Sequence, residues 1–210
     1  MTMTTTRQGE IRDKALRDLQ QYEVLMIDGH FDFGNGFHGR AYLNPHQLFR
    51  YPSTIWRFAQ DLLDVIPASV LDATEVVAGP VTGGALLAHT IAGLLDSRRD
   101  LRRPPTIFAP FTLDAGARLT LSAFYGRQIA GKRVLLADDV RNTGQTFARC
   151  ASLVQGAGGT VLATCEIYDR LEASVDLGVP NLALAGYRAP ENYDARSCPL
   201  CAAGVPIDSF

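Results

Sequence analysis

The sequence predicts an α/β fold with a twisted, mainly parallel β-sheet flanked by helices. Short apolar runs rich in Val, Ile and Leu alternate with longer segments whose apolar residues recur at helical spacing. Two of these runs end in a glycine-containing turn that leads directly into a helical segment, which is typical of strand–turn–helix units in parallel sheets. The length of 210 residues suits one domain, or one domain with a small appendage.

The first half of the chain contains several short predicted elements. A polar tail over residues 1–6 is expected to be disordered. The elements that follow are a helix over residues 8–21, an apolar strand over 24–27, a glycine- and aromatic-rich hairpin over 29–43, a helix that Ser53 caps and Pro67 ends, a strand over 75–78, a glycine turn over 79–84 and a helix over 85–95.

The second half continues the alternation. Its predicted elements are a strand over residues 106–109, an irregular segment over 110–130 that is either a lid or an extra hairpin, a strand from residue 133, a helix over 147–154, strands over 160–168 and 181–185, and a turn-rich tail from residue 186.

The stretch from Arg133 to Thr146, RVLLADDVRNTGQT, is the most informative. An apolar strand ends in Asp138 and Asp139, and a small-residue turn leads into a helix. Ligands of open α/β sheets bind at such strand ends, and the first amides of a helix hold phosphate. The Thr143 hydroxyl adds a donor, and the carboxylates suit sugar hydroxyls or waters on Mg²⁺. The stretch predicts a pocket for a sugar 5-phosphate; the alternative is a plain strand–helix unit with two solvated aspartates.

Composition argues against several classes of protein. The net charge of −2 does not indicate nucleic acid or anionic membranes as partners. No apolar run reaches the length of a membrane span, and no charged-then-apolar leader opens the chain. The four cysteines are unevenly spaced, so we expect a reduced, cytoplasmic protein.

The acidic pair and its turn resemble the phosphoribosyl-pyrophosphate (PRPP) motif of type I phosphoribosyltransferases. Most of the chain is similar to orotate phosphoribosyltransferases: residues 29–44 resemble their hood, 79–84 their pyrophosphate loop, 168–170 the strand end whose Arg contacts orotate, and 198–206 their C-terminal sequence. The resemblance implies the type I phosphoribosyltransferase fold with a small hood. It also implies a Mg²⁺-dependent reaction of orotate with PRPP, giving orotidine 5-monophosphate and pyrophosphate in pyrimidine biosynthesis.

The resemblance further implies roles for single residues. The 5-phosphate is assigned to Asn142, Thr143, Gly144, Gln145 and Thr146, the pyrophosphate to Thr82, Gly83 and Gly84, and the base to Arg170, Tyr42 and His38. The catalytic set consists of Asp138, Asp139 and Arg118. No metal is expected to be held directly by the protein, because Mg²⁺ would arrive with PRPP, with water as one possible link to the acidic pair.

Several positions depart from the family pattern. Arg141 and Asn142 replace residues that are usually aliphatic and then small or acidic, Gly34 stands where a hood lysine contacts orotate, and Leu43 replaces one member of an aromatic pair. Segment 110–130 has no lysine, where the family's mobile loop supplies one. Two alternatives therefore stay open: a phosphoribosyltransferase for another nitrogen base, and a non-catalytic PRPP- or nucleotide-binding regulator.

Cys198 and Cys201 form a C-x-x-C pair, which raises a zinc or redox alternative. A structural zinc needs four ligands, and the other two cysteines fall in a predicted helix and a predicted strand. A packed C-terminal turn is therefore the favoured interpretation. His30 and His38 flank the hood aromatics, and a satisfied structural role is favoured for them, although His38 could contact a ligand.

Three regions are expected along the chain. Residues 1–70 form the N-terminal helix, the hood segment and the first core helix; residues 71–186 form the PRPP-binding core; residues 187–210 form a tail that packs on the hood. The expected partners are PRPP and a nitrogen base, with no nucleic acid and no membrane. A homodimer is expected because the family is built that way.

Overall fold

A computed structural model of the chain describes residues 2–34, 36–100, 102–172, 175–190 and 192–208. Its helices are α1 (Thr2–Gln21), α2 (His46–Phe49), α3 (Pro52–Val65), α4 (Ala68–Ala73), α5 (Gly83–Arg98), α6 (Ala123–Ile129), α7 (Gln145–Gly156) and α8 (Pro199–Ala202), with one 3-10 turn at Ala195–Ser197. Its strands are β1 (Leu25–Met26), β2 (Phe31–Asp32), β3 (Phe37–Gly39), β4 (Tyr42–Leu43), β5 (Val76–Pro80), β6 (Ile107–Leu113), β7 (Leu119–Thr120), β8 (Arg133–Arg141), β9 (Thr160–Asp169), β10 (Asn181–Gly186) and β11 (Tyr193–Asp194).

The central sheet has the strand order β10-β9-β8-β5-β6-β7. Neighbours from β10 to β6 run parallel, and β7 returns antiparallel along β6. Parallel neighbours require crossover connections; α5 connects β5 to β6, and α7 connects β8 to β9. The predicted α/β fold with a mainly parallel sheet is confirmed.

The sheet is buried on both faces. Along β8, Leu135 and Ala137 point into the core under α1, α3 and α5, whereas Val134 and Leu136 point into the core under α7. Alternate residues of a strand face opposite sides of a sheet, so a continuous apolar run is the expected sequence for a strand covered twice. Within the described ranges, no helix combines the length and apolar character needed to cross a bilayer.

A small antiparallel sheet, with the order β11-β3-β2, forms the hood beside the central sheet. Strand β11 comes from the C-terminal tail and pairs with β3 through Tyr193–His38 and Asp194–Phe37. The Asp208 amide also donates to the His30 carbonyl (2.8 Å). Residues near both ends of the chain therefore build one structure.

Three local expectations need correction. Helix α1 begins at Thr2, so residues 2–6 are helical, because extending a formed helix costs less than starting one; Met1 lies outside the described residues. Ser53 does not cap α3; Tyr51 is the N-cap and Pro52 is the first helical residue, a position where the missing N–H of proline costs nothing. Segment 110–130 is the extra hairpin between β6 and β7, followed by α6, which was not predicted.

Candidate active site at the strand ends

Two neighbouring strands end at the same edge of the sheet, and each leads into a helix. Strands β5 and β8 pair in parallel from Val76–Val134 to Ala78–Leu136. Helix α5 begins at Gly83 after β5, and α7 begins at Gln145 after β8. Both helix N-termini therefore lie at the carboxyl edge, where free amides and the helix dipole favour anions.

The turn after β8 surrounds the start of α7, and its Gly144 is buried beside the Arg141 guanidinium and the Val175 carbonyl. Gly144 precedes the helix with a left-handed backbone (φ +83), which glycine adopts at little cost. The Ala148 N–H donates to the Gly144 carbonyl (3.0 Å), so the amides of residues 145–147 have no acceptor within the helix. Thr143 and Thr146 are exposed beside them. The residues assigned to the 5-phosphate, 142–146, thus lie together around one helix start.

The turn after β5 packs tightly against the acidic pair. A Cβ added at Gly83 would overlap Oδ2 of Asp139, and one added at Gly84 would lie 2.7 Å from Oδ1 of Asp138. Only glycine lets this turn lie so close to the carboxylates. Thr82 is the N-cap of α5, so the residues assigned to the pyrophosphate face the acidic pair from the neighbouring strand.

The acidic pair is anchored by the main chain. The Asp139 N–H donates to Oδ1 of Asp138, and the Val140 N–H donates to Oδ1 of Asp139, both at 3.0 Å. Burial, followed by the adjacent Asp139 carboxylate, raises the pKa of Asp138 well above its usual value. The fixed carboxylates therefore present oxygen acceptors at the mouth of the strand.

A third carboxylate lies beneath this pair. Glu166 of β9 is the register partner of Asp138 and is fully buried. Burial raises its pKa to about 7, although the Asn181 side-chain amide donates to it (2.7 Å) and acts in the opposite direction. The site is therefore underlain by an acid that titrates near neutral pH.

Two adjoining clefts open above these residues and share Pro45 and Asp139. The first, named here the hairpin cleft, has a volume of about 630 Å³, and its lining includes Thr82, Gly83, Leu113, Asp138, Thr146 and Arg149. The second, named the hood cleft, has a volume of about 510 Å³, and its lining includes Phe33, Tyr42, Asn142, Tyr168, Arg170 and Asn192. The acidic pair thus stands between two spaces large enough for two parts of one substrate complex.

The hood cleft brings together two of the three residues assigned to the base. Tyr42 lies on its wall and stacks with Phe33 (ring centroids 6.2 Å apart). Arg170 follows β9, and its guanidinium pairs with Glu172 at 2.6 Å. His38 does not line this cleft; it is buried beside His30.

Arg118 is not brought to the acidic pair. It lies on the β6–β7 turn with 84% of its side chain exposed, and it pairs with Asp114 at 2.9 Å. The neighbouring Ala117 and Leu119 line the hairpin cleft, whereas Arg118 is absent from that lining among the described residues.

Sequence reasoning missed two residues that line the clefts. Arg149 lies in the hairpin cleft, three residues after Thr146 and therefore on the same face of α7; that spacing was a usable signal. Asn192 reaches the hood cleft from the tail, and no local pattern indicates it.

Comparison with known proteins identifies similar chains across nearly the whole length. The chain is 29% identical over 197 residues to an orotate phosphoribosyltransferase of Caldanaerobacter subterraneus, covering 93% of this chain and 95% of the relative. It is 30% identical over 182 residues to that of Carboxydothermus hydrogenoformans, covering 87% and 88%. The crystal structure of orotate phosphoribosyltransferase from Aeropyrum pernix matches with a TM-score of 0.62 at 22% identity, covering 82% of this chain and 93% of that chain, which supports the fold. No family model matches the chain.

Proposed function

The chain belongs to the orotate phosphoribosyltransferase family, and we propose on that premise that it transfers the phosphoribosyl group of PRPP to orotate. The products are orotidine 5-monophosphate and pyrophosphate. The observation that carries the proposal is the pair of helix starts on neighbouring strands, with two carboxylates between them. PRPP has the matching order of groups: a phosphate, a hydroxylated ribose and a pyrophosphate.

Each half of PRPP has a matching part of the site. The amides at the start of α7, with Thr143 and Thr146, would hold the 5-phosphate. The acidic pair would accept hydrogen bonds from the ribose hydroxyls, and the turn at Gly83 would offer amides to the pyrophosphate. Holding both ends fixes the ribose carbon C1 against the incoming base, so the catalytic contribution is mainly positional.

The chemistry needs little from the side chains beyond this positioning. The bond between C1 and the pyrophosphate oxygen breaks and its electron pair leaves with pyrophosphate. A ring nitrogen of orotate supplies the pair for the new C–N bond and gives up its proton to solvent. Amides and cations facing the hairpin cleft would stabilise the departing negative charge.

Magnesium fits the donor set at this edge. Hard cations prefer oxygen ligands, and a divalent cation near Asp138 would lower the pKa of this carboxyl and favour the ionised form. The acidic pair would hold the ion through water, with PRPP supplying further oxygens. When bound, Mg²⁺ neutralises charge on the leaving pyrophosphate.

The hood cleft is the proposed base site. Tyr42 offers a ring face for the planar base, and Arg170 offers a guanidinium for the orotate carboxylate. Glu172 already pairs with Arg170, so orotate would have to share or displace that partner. A homodimer is also proposed, because Arg118 is exposed, lies outside the hairpin cleft of its own chain, and would reach a partner's site on leaving Asp114.

A non-catalytic PRPP-binding regulator is the second candidate. The lysine-free segment 110–130 favours it, since Arg does not replace a catalytic Lys freely.

A three-way assay separates these functions. With PRPP and Mg²⁺ present, we expect the absorbance of orotate to fall. Turnover with a different base alone would identify a sister enzyme, and PRPP-dependent thermal stabilisation without any turnover would identify the regulator. Changing Asp138 and Asp139 to Asn should weaken PRPP binding in every case. A wild-type protein that PRPP neither stabilises nor reacts with would refute the proposed site.

A further inference from the structure

Four side chains converge between the hood and the C-terminal tail, away from the strand-end site. His30 precedes β2, His38 lies in β3, and Cys198 and Cys201 lie at the start of α8. Their Nε2, Nδ1 and two Sγ atoms all lie within 4.8 Å of one another. We call these four residues the hood cluster. Three of them are buried and Cys201 is exposed, so the cluster is enclosed but open on one side.

Three of the four distances known within the cluster fall in the range of the edges of a coordination tetrahedron, and the fourth, between the two histidine nitrogens, is shorter. Zinc bonds of about 2.05 Å to nitrogen and about 2.3 Å to sulfur place tetrahedral ligand atoms about 3.3–3.8 Å apart. Nε2 of His30 lies 3.6 Å from Sγ of Cys198 and 3.6 Å from Sγ of Cys201. Nδ1 of His38 lies 3.3 Å from Sγ of Cys201 and 3.0 Å from Nε2 of His30. The four ligand atoms therefore surround a space of the size that one such ion fills.

Hydrogen bonding alone does not account for this convergence. Nδ1 of His30 lies 2.8 Å from the Val205 carbonyl, which can only accept, so Nδ1 carries the proton and Nε2 presents one lone pair. Three groups, from His38, Cys198 and Cys201, all approach that single lone pair. One lone pair cannot accept three hydrogen bonds with good geometry, whereas all four groups together can coordinate one cation.

Each histidine also has an oxygen acceptor on the side of its second ring nitrogen. The Val205 carbonyl accepts from His30 on the side opposite the cluster, and the Asp32 carboxylate lies 3.8 Å from Nε2 of His38. Metal-bound histidines characteristically direct their second ring nitrogen to a carbonyl or a carboxylate, which fixes the tautomer and the ring plane. A carbonyl fills this role at His30, and a carboxylate lies just beyond hydrogen-bond distance of His38.

We propose that the hood cluster is a structural zinc site with two cysteine and two histidine ligands. Two thiolates balance the charge of Zn²⁺, so the bound site is neutral overall. Two nitrogen and two sulfur ligands in tetrahedral arrangement are typical of closed structural zinc. The ion would fasten the C-terminal tail to the hood hairpin, joining segments that are 171 positions apart at His30 and Cys201.

The sequence favoured a packed C-terminal turn for Cys198 and Cys201, and the proposed zinc site differs from that interpretation. The other two cysteines are indeed buried in the core, Cys150 in α7 and Cys165 in β9. The missing ligands are histidines of the hood instead. Zinc at this position would give His38 a structural role and would remove it from the set of residues that contact the base.

Metal analysis tests the proposal independently of enzyme activity. Protein purified after exposure to ZnCl₂ and extensive dialysis should retain about one zinc ion per chain. Replacement by Co²⁺ should give the visible absorption of tetrahedral cobalt and a thiolate-to-metal charge-transfer band. Wild-type protein that retains no zinc, or whose cobalt spectrum lacks the thiolate band, would overturn the proposal. PRPP-dependent thermal stabilisation, measured on the same samples, reports on the proposed function separately.

Matched variants locate the metal. The double variant Cys198→Ser/Cys201→Ser should not retain zinc. Cys150→Ala is the control: it also removes a buried thiol, but one outside the hood cluster, and it should retain zinc. Because the double variant could fail to fold, a milder change outside the ligand set is also required. The Gly34 amide donates a hydrogen bond to the Asp32 side chain (2.9 Å). Asp32→Asn keeps an oxygen that can accept this bond but removes the negative charge beside His38.

We expect Asp32→Asn to weaken zinc binding about 10- to 100-fold. Asp176→Asn is its control, since Asp176 accepts from the Gly178 amide in an equivalent turn (2.8 Å) outside the hood cluster. Equal zinc affinity in Asp32→Asn, Asp176→Asn and wild-type protein would contradict the role of Asp32. Retention of zinc by the folded cysteine double variant would refute the site.

Discussion

The strand-end clefts and the hood cluster are held together in different ways. The hairpin cleft depends on the central sheet, because neighbouring strands fix where α5 and α7 begin. The hood cluster depends on four side chains from three separate segments. Its surrounding strands, β2, β3 and β11, are only two or three residues long.

This difference separates preorganisation by the fold from preorganisation by a ligand. A buried parallel sheet holds its strand ends in place whether or not substrate is present. Small sheets of short strands are marginally stable alone, so the hood is the region that a bound metal would stabilise most. The two halves of the proposed active site should therefore respond differently to the same perturbation.

Zinc removal should have the largest effect on stability. A metal present at a thousandfold its dissociation constant adds about 4 kcal/mol to the free energy of unfolding. A chain of this size shifts its melting temperature by about 2–4 °C per kcal/mol, so chelation should lower it by about 10 °C. The KM for orotate should rise more than that for PRPP, because the hood forms the wall of the hood cleft.

The control for chelation is stepwise restoration, followed by calorimetry. Readdition of Mg²⁺ alone should restore neither the melting temperature nor the KM for orotate, and Zn²⁺ should restore both. Full recovery with Mg²⁺ alone would mean that the hood cluster is not the metal-dependent element.

The buried carboxylate under the clefts provides a second contrast. Burial raises the pKa of Glu166 from 4.5 to about 7, so between these values the folded state binds this proton more tightly than the unfolded state. Its contribution to stability is present below about pH 4.5 and is lost as the pH rises through about 7. The shift corresponds to about 3 kcal/mol.

Glu166→Gln should remove this loss of folding stability at higher pH. Urea unfolding between pH 5 and pH 8 should show the variant gaining stability relative to wild type as the pH rises, because Gln carries no charge to bury. Glu10→Gln, on the exposed face of α1, should follow the wild-type curve. Parallel curves for Glu166→Gln and wild type would show that Glu166 does not titrate in this range.

Two glycines of the same helix test how closely the clefts are built. Gly83→Ala should lower kcat/KM about 100-fold, since displacing a positioned group by about 1 Å has an effect of that size, and the new Cβ would overlap Asp139. Gly93→Ala meets nothing within 4 Å and should stabilise the protein by about 0.5–1 kcal/mol without loss of activity. Steady-state kinetics and thermal melts of the two variants give the comparison, and similar kinetics for both would refute the close packing at Gly83.

The two regions also differ in how far the sequence revealed them. The turn from Asp138 to Thr146 is contiguous, so the strand, the acidic pair and the helix start were all predictable from local pattern. Glu166 was not recognised as a neighbour of Asp138, because the register between parallel strands separated by a helix is not visible in the sequence. The position of Arg149 was available from helical spacing alone.

The hood cluster escaped prediction for a different reason. A count of cysteines alone leaves the C-x-x-C pair two ligands short of the four that structural zinc needs. His30 and His38 are eight positions apart in a hairpin, and the tail that carries Cys198 pairs with that hairpin through β11. A ligand set that the tertiary fold assembles needs the strand pairing before it can be counted. A C-x-x-C pair together with two hairpin histidines was the available signal.

Substitution of the exposed Arg118 should have the smallest effect of the changes considered, and it also provides the most specific test of the proposed dimer. Arg118→Ala should leave the melting temperature unchanged, because the side chain lies in solvent. If Arg118 acts on departing pyrophosphate, kcat should fall about tenfold, less than the 10²- to 10³-fold loss of an enclosed donor. Arg127→Ala changes the other cation of segment 110–130, which is exposed on α6, and should have wild-type kinetics. Equal kcat for both variants would remove Arg118 from the catalytic set.

Mixing two inactive or weakened variants then distinguishes action within one chain from action on a partner. Arg118→Ala retains the acidic pair, and Asp138→Asn retains Arg118. If Arg118 reaches across a dimer, a mixed dimer contains one complete site, formed by the acidic pair of one protomer and the Arg118 of its partner. Random exchange of equal amounts would restore about a quarter of the sites. If Arg118 acts within its own chain, no mixed dimer contains a complete site, and the activity stays at the average of the two variants. Recovery of activity on mixing would therefore establish that the hairpin cleft is completed by a second copy of this chain.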